Sequence, residues 1–253
     1  MQLSKKITLI AFLALLAAGQ AMAELSPQDA GAFGMAQSLN NAGRYAEAVP
    51  VLEKLYEQNP GRTDIALEYA RALGFGKYPD RALQVLSGLD AHTPDDGTLV
   101  QLRASILEAN SRFAEARDSY AKLLAQRPGD AALMSKLADL SFWLKDYPAA
   151  ISWYEKAGLD PAGDPARAMN CADSLLAVQR SADAAALYRR ISAAHPDDRR
   201  ALPGFARSLQ AAGNLTEARS LYLQLAQQSP DDPEPAVALA DISYGLKDYP
   251  QAE

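Results

Sequence analysis

Few residues of this chain are of types that do chemistry, and none stands in a pattern that would let it. Its 253 residues hold two histidines, His92 and His195, and one cysteine, Cys171. Both histidines sit beside prolines in turn-like stretches, and neither belongs to a metal or catalytic motif. Gly74-Phe75-Gly76-Lys77 looks superficially like a phosphate loop but lacks the spacing that cradles a phosphate. The acidic pairs Asp95-Asp96, Asp197-Asp198 and Asp231-Asp232 could in principle hold a cation. No calcium-loop pattern surrounds them, and their recurrence fits helix capping. Asn214-Leu215-Thr216 matches a glycosylation triplet by chance. The expectation is therefore no catalytic residue, no cofactor and no metal. A hydrolytic or carbohydrate-modifying enzyme, the reading from another functional class, finds no support.

The elements that would position any working residue are marked by two combs of alanine. One runs Ala36, Ala70, Ala104, Ala138, Ala172, Ala206 and Ala240; the other Ala48, Ala82, Ala116, Ala150, Ala184, Ala218 and Ala252. Neighbours in each comb are 34 residues apart, a spacing that marks stacked helical repeats. Each unit has room for two helices and a turn. Where the two cross, a side chain larger than methyl would push the backbones apart. Counting the first unit from Asp29, position 24 carries Leu52, Leu86, Tyr120, Tyr154, Tyr188 and Tyr222, and position 11 is mostly leucine. Positions 4, 7, 8 and 11 fit one helix face, and 20, 24 and 27 another. Cys171 falls at position 7, beside Tyr69, Leu137 and Phe205 in the other units, and reads as a buried, inert thiol.

Turn signals separate the helices. Asn41-Ala42-Gly43-Arg44, Gly74 to Lys77, Lys145-Asp146-Tyr147-Pro148, Ala212-Gly213-Asn214 and Lys247-Asp248-Tyr249-Pro250 lie at unit midpoints. Pro60, Pro94, Pro128, Pro196 and Pro230 end the second helices, and the following Asp, Thr or Gly can cap the next. Pro50 is expected to bend its helix without breaking it. The breaker-rich stretch 157–165 predicts a looser junction with no shift of register, because both combs pass through it.

These residues resemble the tetratricopeptide repeat (TPR) family, over residues 29 to 253. The family pattern has small residues at positions 8 and 20, a large apolar residue at 24 and proline at 32. Ala42-Gly43-Arg44-Tyr45-Ala46-Glu47-Ala48 is similar to its inter-helix turn. The tryptophan often found at position 4 is replaced by Ala, Val, Met or Leu, which still fills the site. The resemblance implies an all-α fold, a right-handed superhelix of antiparallel helix pairs with about seven units. Their expected bounds are 29–62, 63–96, 97–130, 131–164, 165–198, 199–232 and an incomplete 233–253. It also implies a concave groove, lined by first helices, that receives a protein or peptide partner. Groove positions place Arg71 and Phe75, then Asp139, Phe142 and Trp143, then Asp173 and Arg207 on that surface. Phe142 and Trp143 are the candidate apolar anchors; the four charged residues would set orientation. The family's carboxylate clamp is not reproduced, since Phe33 and Gln37 stand where Lys and Asn are needed.

The N-terminus is a separate object. Lys5 and Lys6 precede a short apolar core, Ile7 to Ala18, and Ala21-Met22-Ala23 is an A-x-A cleavage site before Glu24. Residues 1–23 read as a secretory signal peptide and 24–28 as a short leader, with no membrane span in the mature chain. The expected location is the periplasm or outside the cell. The whole chain carries a net charge of −6. Residues 1–23 hold two lysines and no acid, so the mature part carries −8. That surface disfavours nucleic acid. The leading expectation is a non-enzymatic periplasmic scaffold or adaptor in envelope assembly or secretion. The alternative is the N-terminal periplasmic part of an exopolysaccharide export protein, whose partners would include outer-membrane export machinery. The seventh unit, which stops at Glu253, prompts the expectation of a longer array.

Overall fold

The computed structural model describes residues 24–90 and 96–246. The predicted leader 1–23 with its cleavage site, His92, Thr93-Pro94-Asp95 and residues 247–253 with Ala252 lie outside the described residues. The described residues form α-helices and one 3₁₀ turn, with no strand among them. The fold among the described residues is all-α, built of the antiparallel helix pairs that the resemblance implies, and the chain divides into two compact bodies, residues 1–123 and 124–253. The first holds α1 (Pro27–Asn41), α2 (Tyr45–Gln58), α3 (Thr63–Phe75), α4 (Pro79–Asp90), α5 (Gly97–Ala109) and most of α6 (Phe113–Gln126). The second holds α7 (Ala131–Trp143), α8 (Tyr147–Lys156), α9 (Pro165–Ala177), α10 (Ser181–Ala194), α11 (Leu202–Ala211), α12 (Leu215–Gln228) and α13 (Pro233–Gly245).

Aspartate starts most of the first helices. Asp96, Asp130, Asp164 and Asp232 each accept a hydrogen bond from a backbone N–H in the following turn, at 2.8 to 3.1 Å. These side chains satisfy donors that the helix itself leaves open. The second member of each acidic pair is thus a cap. Asp198 does the same for the 3₁₀ turn Arg199–Ala201. That turn exists because Pro203 has no N–H to give to the Arg199 carbonyl, so α11 begins three residues late. Pro50 sits inside α2 on its exposed side, and the helix runs on to Gln58.

The turn within each pair has one geometry. The residue at position 15 is left-handed in six units: Gly43 (φ 72°), Lys77 (79°), Ser111 (59°), Lys145 (59°), Gln179 (64°) and Gly213 (81°). The next residue's N–H then bonds back five residues, as from Arg44 to the Leu39 carbonyl and from Asp146 to Ser141, both 2.9 Å. This closes the first helix on its last open carbonyls. Only two of the six are glycine.

The combs lie at the helix crossings. Ala36, Ala48, Ala70, Ala82, Ala104, Ala116, Ala138, Ala150, Ala172, Ala184, Ala206 and Ala218 are all 0% exposed. Ala240 on α13 is exposed. Around these contacts Leu52, Leu73, Leu86, Leu99 and Ile106 fill the first body. Tyr188, Ile191, Phe205, Leu209 and Ile242 do so in the second. Gly204 is required by close approach, since a Cβ there would run into the Tyr188 ring. The breaker-rich junction shortens α8 to 10 residues, against 14 in α10 and α12. Gly158 (φ 71°) ends it, yet α9 starts at Pro165, one period after Ala131, with no slip.

Two opposite substitutions follow. Lys145→Gly or Gln179→Gly relieves a left-handed side chain and is expected to raise unfolding free energy by up to about 1 kcal/mol. Ala150→Leu overpacks a crossing and is expected to lower it by roughly 1–3 kcal/mol. Urea denaturation checks both; a glycine variant that destabilises would contradict the turn geometry.

Candidate functional site

Within each body the first helices of successive pairs touch one another, α1–α3–α5 in one and α7–α9–α11 in the other. They form a layer whose outward face carries the sequence-predicted residues. Arg71 and Phe75 belong to the first body, and Asp139, Phe142, Trp143, Asp173 and Arg207 to the second.

In the first body, Arg71 and Phe75 line a hollow of about 320 Å³ with Thr98, Gln101, Leu102 and Ser105. Arg71 Nε lies 3.6 Å from Glu68 Oε2, and Asn40 Nδ2 donates to that same carboxylate oxygen at 2.7 Å. Asn40 is buried, and its second bond, to the Glu68 carbonyl at 3.0 Å, ties α1 to α3. Phe75 is half-buried, with its ring 5.5 Å from that of Tyr45. Much of its surface therefore serves packing.

In the second body the two aspartates are held by tyrosines. Tyr154 Oη donates to Asp139 Oδ1 at 2.9 Å, and Arg167 Nε donates to Asp139 Oδ2 at 2.9 Å. Tyr188 Oη donates to Asp173 Oδ1 at 2.6 Å, with Arg207 Nη2 at 4.0 Å. The pattern recurs, with Tyr120 bonding Glu108 at 2.8 Å and Tyr222 bonding Gln210 at 3.0 Å. These are the aromatic residues at position 24, legible in the sequence only as core filler. Each ring packs in the core while its hydroxyl reaches across the pair and pins a polar side chain of the first helix. Burial, reinforced by the carboxylates, pushes the Tyr154 and Tyr188 phenols far up. Burial and Glu108 raise Tyr120 to about 12, and burial and Glu53 do the same for Tyr69.

Phe142 and Trp143 close α7. Their rings meet edge to face at 5.4 Å, and Tyr147 stands 6.3 Å from Phe142. Phe142 packs partly onto the core, whereas Trp143 is 58% exposed. Trp143 therefore presents a large apolar surface on a rigid base. The tyrosine-held Asp139 is built into the scaffold; Arg207, about half exposed, remains accessible to a partner.

Among the described residues, His195, Cys171 and the stretch Gly74 to Lys77 have structural roles. His195 Nε2 lies 2.9 Å from the Ala162 carbonyl and links two inter-unit turns. Cys171 is buried, and burial followed by the Glu155 charge raises its thiol to about 11. Around Gly74-Phe75-Gly76-Lys77 the amides of Gly76 and Tyr78 bond the Leu73 carbonyl, so they are not turned to an anion. No group of three metal-ligating side chains assembles among the described residues. No helix among them is long and apolar enough to cross a membrane.

Sequence profiles described as Tetratricopeptide repeat match residues 13–62, 39–106, 102–164, 171–233 and 204–253. The chain belongs to the tetratricopeptide repeat family. The match from residue 13 takes in part of the segment read as a leader. A curated relative, the uncharacterized protein y4yS of Sinorhizobium fredii, is 33% identical over 81 residues. That stretch is 32% of this chain and 44% of the relative, so the chain spans less than half the relative's length. Solved structures share the fold. YrrB, described as a TPR protein with an unusual peptide-binding site, matches with a TM-score of 0.61 and 16% identity over 74% of this chain and 96% of its own. PilW, described as a type IV pilus biogenesis factor, matches with a TM-score of 0.58 and 17% identity over 85% and 100%. The repeat is a protein-interaction scaffold, a fold that works through surface contact.

The tyrosine bonds predict an alkaline limit. An unfolded tyrosine ionises near pH 10, whereas folded Tyr69 and Tyr120 hold their protons to about 12. Their contribution is full below pH ~10 and is lost as pH rises towards ~12. Melting temperature is expected to fall steeply across that window. Tyr154→Phe should cost about 1–2 kcal/mol at neutral pH through the lost bond to Asp139.

Proposed function

We propose that this protein is an exported, non-enzymatic adaptor that holds a polypeptide partner against the first-helix face of its second body. The observation that carries the reading is Trp143, 58% exposed and braced edge-on by Phe142. An indole buries much area with few rotors to freeze, which makes it a strong anchor. Arg207 and the tyrosine-held Asp173 and Asp139 lie on successive first helices and would fix the partner's direction. The hollow beside Arg71 and Phe75 is a separate contact patch on the first body. The export leader read in residues 1–23 supports a periplasmic role in envelope assembly or secretion. The fold shared with a pilus biogenesis factor is consistent with that setting.

Two experiments test this. Trp143→Ala is expected to melt like the parent but lose capture of envelope partners, with a cost of ~2 kcal/mol or more in binding. A large fall in melting temperature would instead assign Trp143 to packing. Expression with the native leader, followed by fractionation and N-terminal sequencing, should yield a mature chain starting at Glu24. Cytoplasmic material retaining Met1 would refute export.

A further inference from the structure

The first helix of a unit is covered on one side by the unit before it. Tyr69 on α3 sets its ring 5.4 Å from that of Tyr56 on α2. Tyr188 on α10 fills the space over Gly204 on α11, where a Cβ would collide with its ring. Positions 3, 7 and 10 lie on this covered side. Ile65, Tyr69 and Ala72 are buried there on α3, as are Leu133, Leu137 and Leu140 on α7.

On α1 the same positions carry Gly31, Met35 and Ser38, and all three are exposed, Met35 to 52%. Gly34 holds the place of Gly204, yet nothing lies within 4 Å of where its Cβ would stand. Gly31 is equally open. Glycine inside a helix costs stability relative to alanine. Neither residue has the left-handed backbone or the close neighbour that would require it. Residues 30–42 hold no charged side chain, whereas the outer face of a terminal repeat is ordinarily polar. This side of α1 has the composition of a covered surface.

The sequence one period before α2 supplies a matching cover. Ala14 stands 34 residues before Ala48, so the second alanine comb runs on into the leader. Ala18 falls at position 24, the place from which Tyr188 covers Gly204. Residues 7–23 carry no charge, and Leu13, Leu15 and Leu16 lie beside Ala14. The repeat profile that takes in α1 and α2 starts at residue 13, within this segment. The segment is also tethered to α1, which raises its effective concentration above that of any free partner.

We propose that in the uncleaved chain residues 11–22 lie against the outer side of α1 as the second helix of a half-unit, with Ala18 over Gly34 and Met35 covered. Cleavage after Ala23 then bares this side in the mature chain. That consequence rests on the export reading; the docking does not, and it is tested in a chain that keeps residues 1–23.

The test uses the full chain made by cell-free synthesis without membranes, so that no peptidase removes the leader. Met35→Cys places a thiol on the face, and its alkylation by iodoacetamide is followed by mass spectrometry. Buried Cys171 is the folding control, since it reacts only when its own body opens. Alkylation is expected to run at least about tenfold faster once Ala14→Asp is added, because a carboxylate cannot be buried unpaired against α1. Gly34→Gln, which fills the seat of Ala18, should speed it likewise while Cys171 stays protected. Hydrogen exchange of the α1 amides, with Met35 in place, is the second readout and should be slower in the parent than in Ala14→Asp. Equal exchange in those two chains would overturn the proposal, whatever the alkylation shows. Protection that grows with protein concentration would also overturn it, by assigning the cover to a second copy.

Discussion

The structure depends on how closely two helix backbones can approach where they cross. A methyl group at each crossing sets that distance, and twelve alanines occupy those places with no surface exposed. Any larger side chain would separate the helices and lift the leucines and tyrosines around the crossing out of contact. Because the crossing recurs with a fixed period, the faces of the helices are assigned along with it. Positions beside the alanines go to the core. Other positions on the first helices are the ones proposed for recognition.

The tyrosines add a polar layer to this apolar frame. A ring at position 24 is long enough to pass through the core and emerge under the first helix. There its hydroxyl meets Glu108, Asp139, Asp173 or Gln210. A buried hydroxyl must find a partner, and the partner in turn gains a fixed rotamer. The carboxylates on the first-helix face are thus held in place, which would reduce the ordering cost of the proposed binding.

Much of this was legible from residues alone. The combs gave the helix pairs, and the recurring Asp–Asp steps gave the caps, because both obey a strict period. The left-handed turn was readable at Gly43 and Gly213 but not at Lys77, Ser111, Lys145 or Gln179, where the fold imposes a conformation the residue does not prefer. Of the candidate site, Trp143 could be placed by register. The capture of Asp139 and Asp173 could not, since nothing in a tyrosine's position states how far its hydroxyl reaches. The early end of α8 is a departure from the repeat that the sequence shows only as a cluster of breakers.

The central claim is that Trp143 is held out from the core by its own helix and neighbours, available to a partner. Steady-state fluorescence of a Trp153→Phe variant, in which Trp143 is the sole indole, tests it most directly. The account predicts a long-wavelength emission maximum near that of an indole in water and efficient acrylamide quenching. A short-wavelength, poorly quenched emission in the isolated protein would show the ring packed away and would contradict it.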